Sequence, residues 1–338
     1  MDIRDPRGLK RHAAEALNHA SYPPHKLVLL HTGVSVGLSV LLAVVDFFLA
    51  QQIANTGGLS GMGIRSILST VQSLLRLAVT VGLTFWEFGI LYAALRLSRR
   101  EAAGPDSLSE GFRRFGPLLR LQLLRGVILF GLMMASFYIG TLVFFSTPLV
   151  DPVYEILEPF AADAGLLGSG VNLDEATLNA LIPHMWPIFL IAGVLLCAVG
   201  LPLFYRYRMA EYAILDGDKV GAFASIRMSS QLMRGNRAAL FRLDLSFWWY
   251  YLLLALTQAV AFGDTLLQAF GVTLPISPDV ALLLCNCICF LCQLALYYRF
   301  RAPVETTYAA AFDALQQGMV MPAPTPTPQK QNWNYEES

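Results

Sequence analysis

Apolar residues in this chain run in long stretches rather than in the one-sided or alternating patterns of soluble elements. Six stretches, near 27–50, 74–97, 118–145, 184–204, 243–263 and 280–300, can each span a hydrocarbon core of about 30 Å, which takes roughly 20 helical residues. The polar connector from Leu203 to Leu243 carries the most pattern. It predicts a short helix from Lys219 to Arg234, with Asp218 as cap and Gly235-Asn236 as stop. Val220, Phe223, Ile226 and Met233 form its apolar stripe. A helix this short is marginal in water, so the stripe must rest on the membrane interface or on neighbouring helix ends.

Two other connectors share this plan. Asp5 and Pro6 can open a helix bearing Leu9, Ala13 and Leu17, which Tyr22-Pro23-Pro24 would end. Ser107 and Glu110 suggest a capping box for GFRRF, with Gly116-Pro117 as its stop. The expected fold is therefore all-α: a polytopic membrane protein of six transmembrane helices, with short cytoplasmic interfacial helices before spans one, three and five. Its parts are an amphipathic N-terminal helix (1–26), a membrane domain (27–318) and a disordered proline-rich tail (319–338). The membrane domain carries a glycine-rich irregular loop at 51–66 and an acidic extracytoplasmic loop at 148–183, where Asn172 and Glu175 suggest a helix start. The polar N-terminus does not read as a cleaved signal peptide.

Composition agrees, with 55% hydrophobic and only 14% charged residues, too few charges for an ordinary soluble domain. The zero net charge hides an asymmetry. Counting residues at the span mouths with the adjoining connector, 22 of 24 Lys and Arg fall before span one, between spans two and three, between four and five, or after six, and only Arg65 and Arg76 fall on the other side. By the positive-inside rule both termini are cytoplasmic. No nucleic-acid footprint follows. Four of the five cysteines lie in CNCICFLC within span six, a spacing that matches no metal motif, and no cofactor fingerprint is present.

The order LSEGFRRFG, a span, then YRMAEYAILDGDKVGAFASIRMSSQLMRGNRAALFRLDLSFWW resembles the bacterial membrane-protein family called domain of unknown function 975. The likeness runs roughly from Leu9 to Leu315 and is most specific at Ser225, Ser229, Met233, Gly235, Asn236 and Phe241. It implies a multi-span fold in a bacterial cell membrane. It implies no activity.

Polar residues within spans are costly and are the places to look for chemistry. By depth, Glu87 is expected to pair with Arg125, Asp46 with Arg76, and Gln258 with Asn286. Gly33, Gly37 and Gly131 are expected to let backbones approach. Lys219, Arg227 and Arg234 are placed to meet anionic headgroups while Phe223 and Ile226 enter the acyl boundary. The expected function is a non-catalytic scaffold that organises anionic lipids, or a cytoplasmic or membrane protein partner, at the inner face of the membrane. The alternative is a small-solute or ion transporter with a path through Glu87, Gln258, Asn286 and Gln293.

Overall fold

A computed structural model describes residues 2–55, 61–163, 175–217, 220–263 and 278–319, and among these the regular structure is helical throughout. Helix α1 (Pro6–Asn18) leads to α2 (Pro24–Asn55) and α3 (Gly61–Ser98). A 3-10 turn (Pro105–Ser109) and the single turn α4 (Glu110–Arg113) precede α5 (Phe115–Phe145). There follow α6 (Asp151–Asp163), α7 (Glu175–Tyr207), α8 (Ala210–Asp216), α9 (Ala222–Leu232), α10 (Arg237–Leu245) and α11 (Trp248–Ala261). Last, α12 (Pro278–Leu296) passes through a π-helical turn (Tyr297–Arg301) into α13 (Ala302–Met319).

Among the described residues four segments are long and apolar enough to cross a membrane: Pro24–Ile53, Gly63–Ser98, Phe115–Phe145 and Ala180–Asp216. Helices α10 and α11, bent by 61° at their junction, make a fifth if taken as one span. Helix α12 covers most of the sixth expected stretch. The connectors differ more from expectation. The glycine-rich loop is largely helix, since α2 runs to Asn55 and α3 starts at Gly61. Next to apolar surroundings, a backbone that keeps its internal hydrogen bonds is the cheaper one. The acidic loop holds α6, and α7 already starts at Glu175. Asn172, Asp218, Lys219 and the tail from 320 onward lie outside the described residues.

Gly116-Pro117 does not stop a helix. It sits in the first turn of α5, where proline gives up an N–H that has no intrahelical partner anyway. Ser107 Oγ accepts the Gly104 N–H at 3.3 Å, and Glu110 instead holds Arg113 and Arg114 at 3.2 and 3.1 Å. The glycines that matter for packing also differ. A Cβ at Gly33, Gly37 or Gly131 would meet no atom within 4 Å, whereas one at Gly89 would lie 2.0 Å from the Leu108 carbonyl oxygen and one at Gly111 2.0 Å from that of Phe85. Only hydrogen fits at those two positions, and through them the 105–113 connector locks onto α3.

Burial is concentrated at the end of the bundle where the arginine-rich connectors gather. Its centre is α13, which the sequence pattern left at the margin of the membrane domain: Thr306, Ala309, Ala310, Ala311 and Phe312 are all inaccessible. Helix α1 begins as expected, with Asp5 accepting the Arg7 N–H at 3.0 Å, and buries Leu9, Ala13 and Ala16 against α3 and α13. Lys10 Nζ donates to the Ser246 carbonyl at 2.8 Å and lies 3.9 Å from the Phe247 ring centroid, tying α1 to the bend between α10 and α11.

Of the expected stripe on α9, Met233 is fully buried and Val220 and Ile226 pack against the core, but Phe223 does not. The buried face is Ala222, Ser225, Ser229 and Leu232, while Phe223 is 77% exposed. Between α7 and α8 the helical ladder is interrupted, which leaves the Arg206 carbonyl and the Met209 N–H to find other partners. Ser229 Oγ donates to the former at 2.9 Å and accepts from the latter at 3.2 Å. A satisfied serine can face the core, and its small size brings α9 close to that break. The expected stop is present, with Gly235 at a φ of +82°.

Candidate functional site: a charged cavity at the basic end

The buried end is not wholly apolar. Elements α5, α7, α8, α11, the π turn and α13 converge on a cavity of about 360 Å³, whose wall includes Arg125, Arg208, Arg301, Glu211 and Glu305. Each arginine has a carboxylate partner. Arg125 bonds to Glu211 and to the Tyr207 carbonyl, and Gln122 Nε2 donates to the same Glu211 at 3.2 Å. Arg208 bonds to Asp244 and stacks over the Tyr308 ring at 4.4 Å. Asp244 also accepts the hydroxyls of Tyr205 and Tyr308, the latter at 2.6 Å, and Tyr308 is 2.6 Å from the Tyr251 hydroxyl.

Arg301 bonds to Glu87 and donates to His31 Nδ1 at 3.4 Å. Since arginine can only donate, the His31 proton sits on Nε2, which donates to the Trp86 carbonyl at 3.2 Å. Trp86 Nε1 returns a bond to the His31 carbonyl at 3.0 Å, and the two rings stack at 5.6 Å. These reciprocal bonds join α2 to α3, and Arg301 joins both to the π turn. Glu87 is therefore not the partner of Arg125. Depth along a span says nothing about which helices are neighbours.

The expected pair of Asp46 and Arg76 is present at 2.7 Å. Gln258 and Asn286 sit on α11 and α12, which pack together; both side chains are exposed and neither lines the cavity. Within the α9 stripe, Ile226 packs against the cluster built on Phe85, Leu118 and Ile214, whereas Phe223, Arg227 and Arg234 face outward. Sequence reasoning missed Arg208, Asp244, Arg301 and Glu305. Arg208 and Arg301 were counted only as flanking positive charges. The spacing of Arg301 and Glu305, four apart on one helical face, was a usable signal.

From one corner of the cavity an apolar groove of about 320 Å³ runs between α5 and α7, past Gly126, Leu129, Leu132 and Gly200. Arg125 and Phe204 line both spaces. A polar pocket joined to an apolar groove has the shape an amphiphile needs, and bound Arg–carboxylate pairs hold its wall in place.

These features define a class: an all-helical chain with four, or with the bent pair five, helices able to cross a membrane, closed at one end by a buried charged core. The chain belongs to the family described as Protein of unknown function (DUF975), whose model matches residues 6–274. No curated protein and no solved structure matches it.

Proposed function

We propose that this protein is a six-span protein of the bacterial inner membrane, both termini cytoplasmic, which binds the polar head of a membrane lipid in the cavity and serves as a non-catalytic scaffold for it. The observation that carries this reading is the continuity of charged cavity and apolar groove through Arg125 and Phe204. The asymmetry of 22 basic residues against two supports the orientation, with the cavity at the inner face. The exposed Phe223, beside Arg227 on α9, suits contact with the inner interface. A solute path through Glu87 has less support, because that carboxylate is tied to Arg301.

The test is native mass spectrometry of protein released from nanodiscs. The wild type should keep one lipid per chain, and Gly126→Leu, which adds bulk where nothing lies within 4 Å of the new Cβ, should lose it while remaining folded. A wild type that emerges without lipid, or a Gly126→Leu variant that retains it, would end this reading. Orientation is tested by impermeant thiol labelling in intact cells, with exposed probe sites at Tyr154 on α6 and Ala224 on α9. Tyr154→Cys should react and Ala224→Cys should not.

A further inference from the structure

The charges around the cavity do not balance pairwise. Arg125, Arg208 and Arg301 are matched by Glu211, Asp244 and Glu87, which leaves Glu305 over. Among the described residues Glu305 makes no hydrogen bond and no ion pair, although Arg301 lies within electrostatic reach on the same helical face. Its carboxylate acts electrostatically on Tyr212, Tyr250 and Tyr297, and all three rings line the cavity with it. Phe204 and Tyr251 complete an aromatic wall.

We infer that Glu305 is the counter-ion for an ammonium group, so that the lipid held here is a glycerophospholipid with an ammonium headgroup, of the ethanolamine kind, and not an anionic one. The inference rests on the lipid-holding reading above and names the headgroup. An acidic group with aromatic faces around it is the standard chemistry for recognising an organic cation. The three arginines argue less strongly for an anion, since each already spends its charge on a carboxylate and a phosphate would have to compete for it. Burial raises the Glu305 carboxyl above its ordinary value. An arriving ammonium supplies the missing charge and brings the carboxylate form back within reach. The acyl chains then leave past Phe204 into the groove between α5 and α7, whose lining on α5 runs from Gln122 to Leu132, about 15 Å along the helix axis.

The experiment uses the full chain in nanodiscs of equal parts phosphatidylethanolamine and phosphatidylglycerol, with retained lipid identified by native mass spectrometry. The wild type should retain phosphatidylethanolamine preferentially, and Glu305→Gln should keep a lipid while that preference falls by at least about tenfold, as removal of a buried charge partner implies. Preferential retention of phosphatidylglycerol by the wild type, or an unchanged preference in Glu305→Gln, overturns the headgroup assignment while leaving lipid holding intact. Absence of any retained lipid removes both. Should Glu305→Gln not fold, the wild type decides alone: its melting temperature should be higher in phosphatidylethanolamine than in phosphatidylglycerol discs, and the reverse order overturns the assignment. Soluble glycerophosphoethanolamine that stabilises the protein as well as the lipid does would overturn the lipid as its source.

Discussion

The two ends of this helical bundle hold charges by different means. Asp46 and Arg76 form one pair between adjacent helices, with the arginine side chain 57% exposed. At the other end Arg301, 8% exposed, binds Glu87 from α3, itself 46% exposed, and the buried ring of a histidine from α2, and that histidine is fixed by tryptophan. The first is a clip between neighbours. The second is a junction that three distant stretches of sequence must reach together, so its loss should be felt across the fold.

The largest expected effect is therefore at Arg301. Arg301→Met leaves Glu87 without its partner and should lower stability by about 3 kcal/mol in detergent unfolding, with the further change Glu87→Leu recovering part of it. Strictly additive losses would show that the pair contributes nothing as a pair. Next in size is Gly89→Ala, whose Cβ would fall on the Leu108 carbonyl; about 1–3 kcal/mol of strain is expected, seen as a lower melting temperature. A smaller effect separates the two possible partners of Arg125. Double-mutant cycles should give about 1 kcal/mol of coupling for Arg125→Met with Glu211→Gln and none for Arg125→Met with Glu87→Gln. At the opposite end, Arg76→Gln should cost less than Arg301→Met, because a glutamine there can still donate to Asp46 and only two adjacent helices are involved. The least is expected from Phe223→Ser, whose melting temperature in detergent should match the wild type because the ring touches little of the core.

Much of the architecture was legible in the sequence because long apolar runs and polar breaks leave few alternatives. The start of α1 at Asp5, the Gly235 turn and the pair of Asp46 with Arg76 were all visible from spacing alone. That pair was readable because α2 and α3 pack side by side, so that matched depth brings the two residues together. Glu87 was not, since its partner lies 214 residues away on an element that matched depth cannot bring beside it. The inward face of α9 was read correctly at Val220, Ile226 and Met233 but not at Phe223, Ser225 and Ser229, because hydrophobicity counts the ring as inward and the serines as outward. The serines are inward because they satisfy a break in another helix. Helix α13 went unnoticed for a related reason: alanine and threonine pack closely but score weakly as apolar.

The π turn from Tyr297 to Arg301 has a consequence for how sequences of this kind can change length. Such a turn amounts to one residue inserted into an α-helix. Deleting one residue within it would let the segment close into an ordinary helix with no loss of internal bonding, and because the wider turn holds about one residue more over the same rotation, the helix beyond would keep its facing. Glu305 and the rest of α13 would still face the cavity. A relative one residue shorter here could keep its hydropathy profile, its span and the facing of α13 alike, so at this point a single-residue gap carries less information than a substitution at Arg301 or Glu305 does.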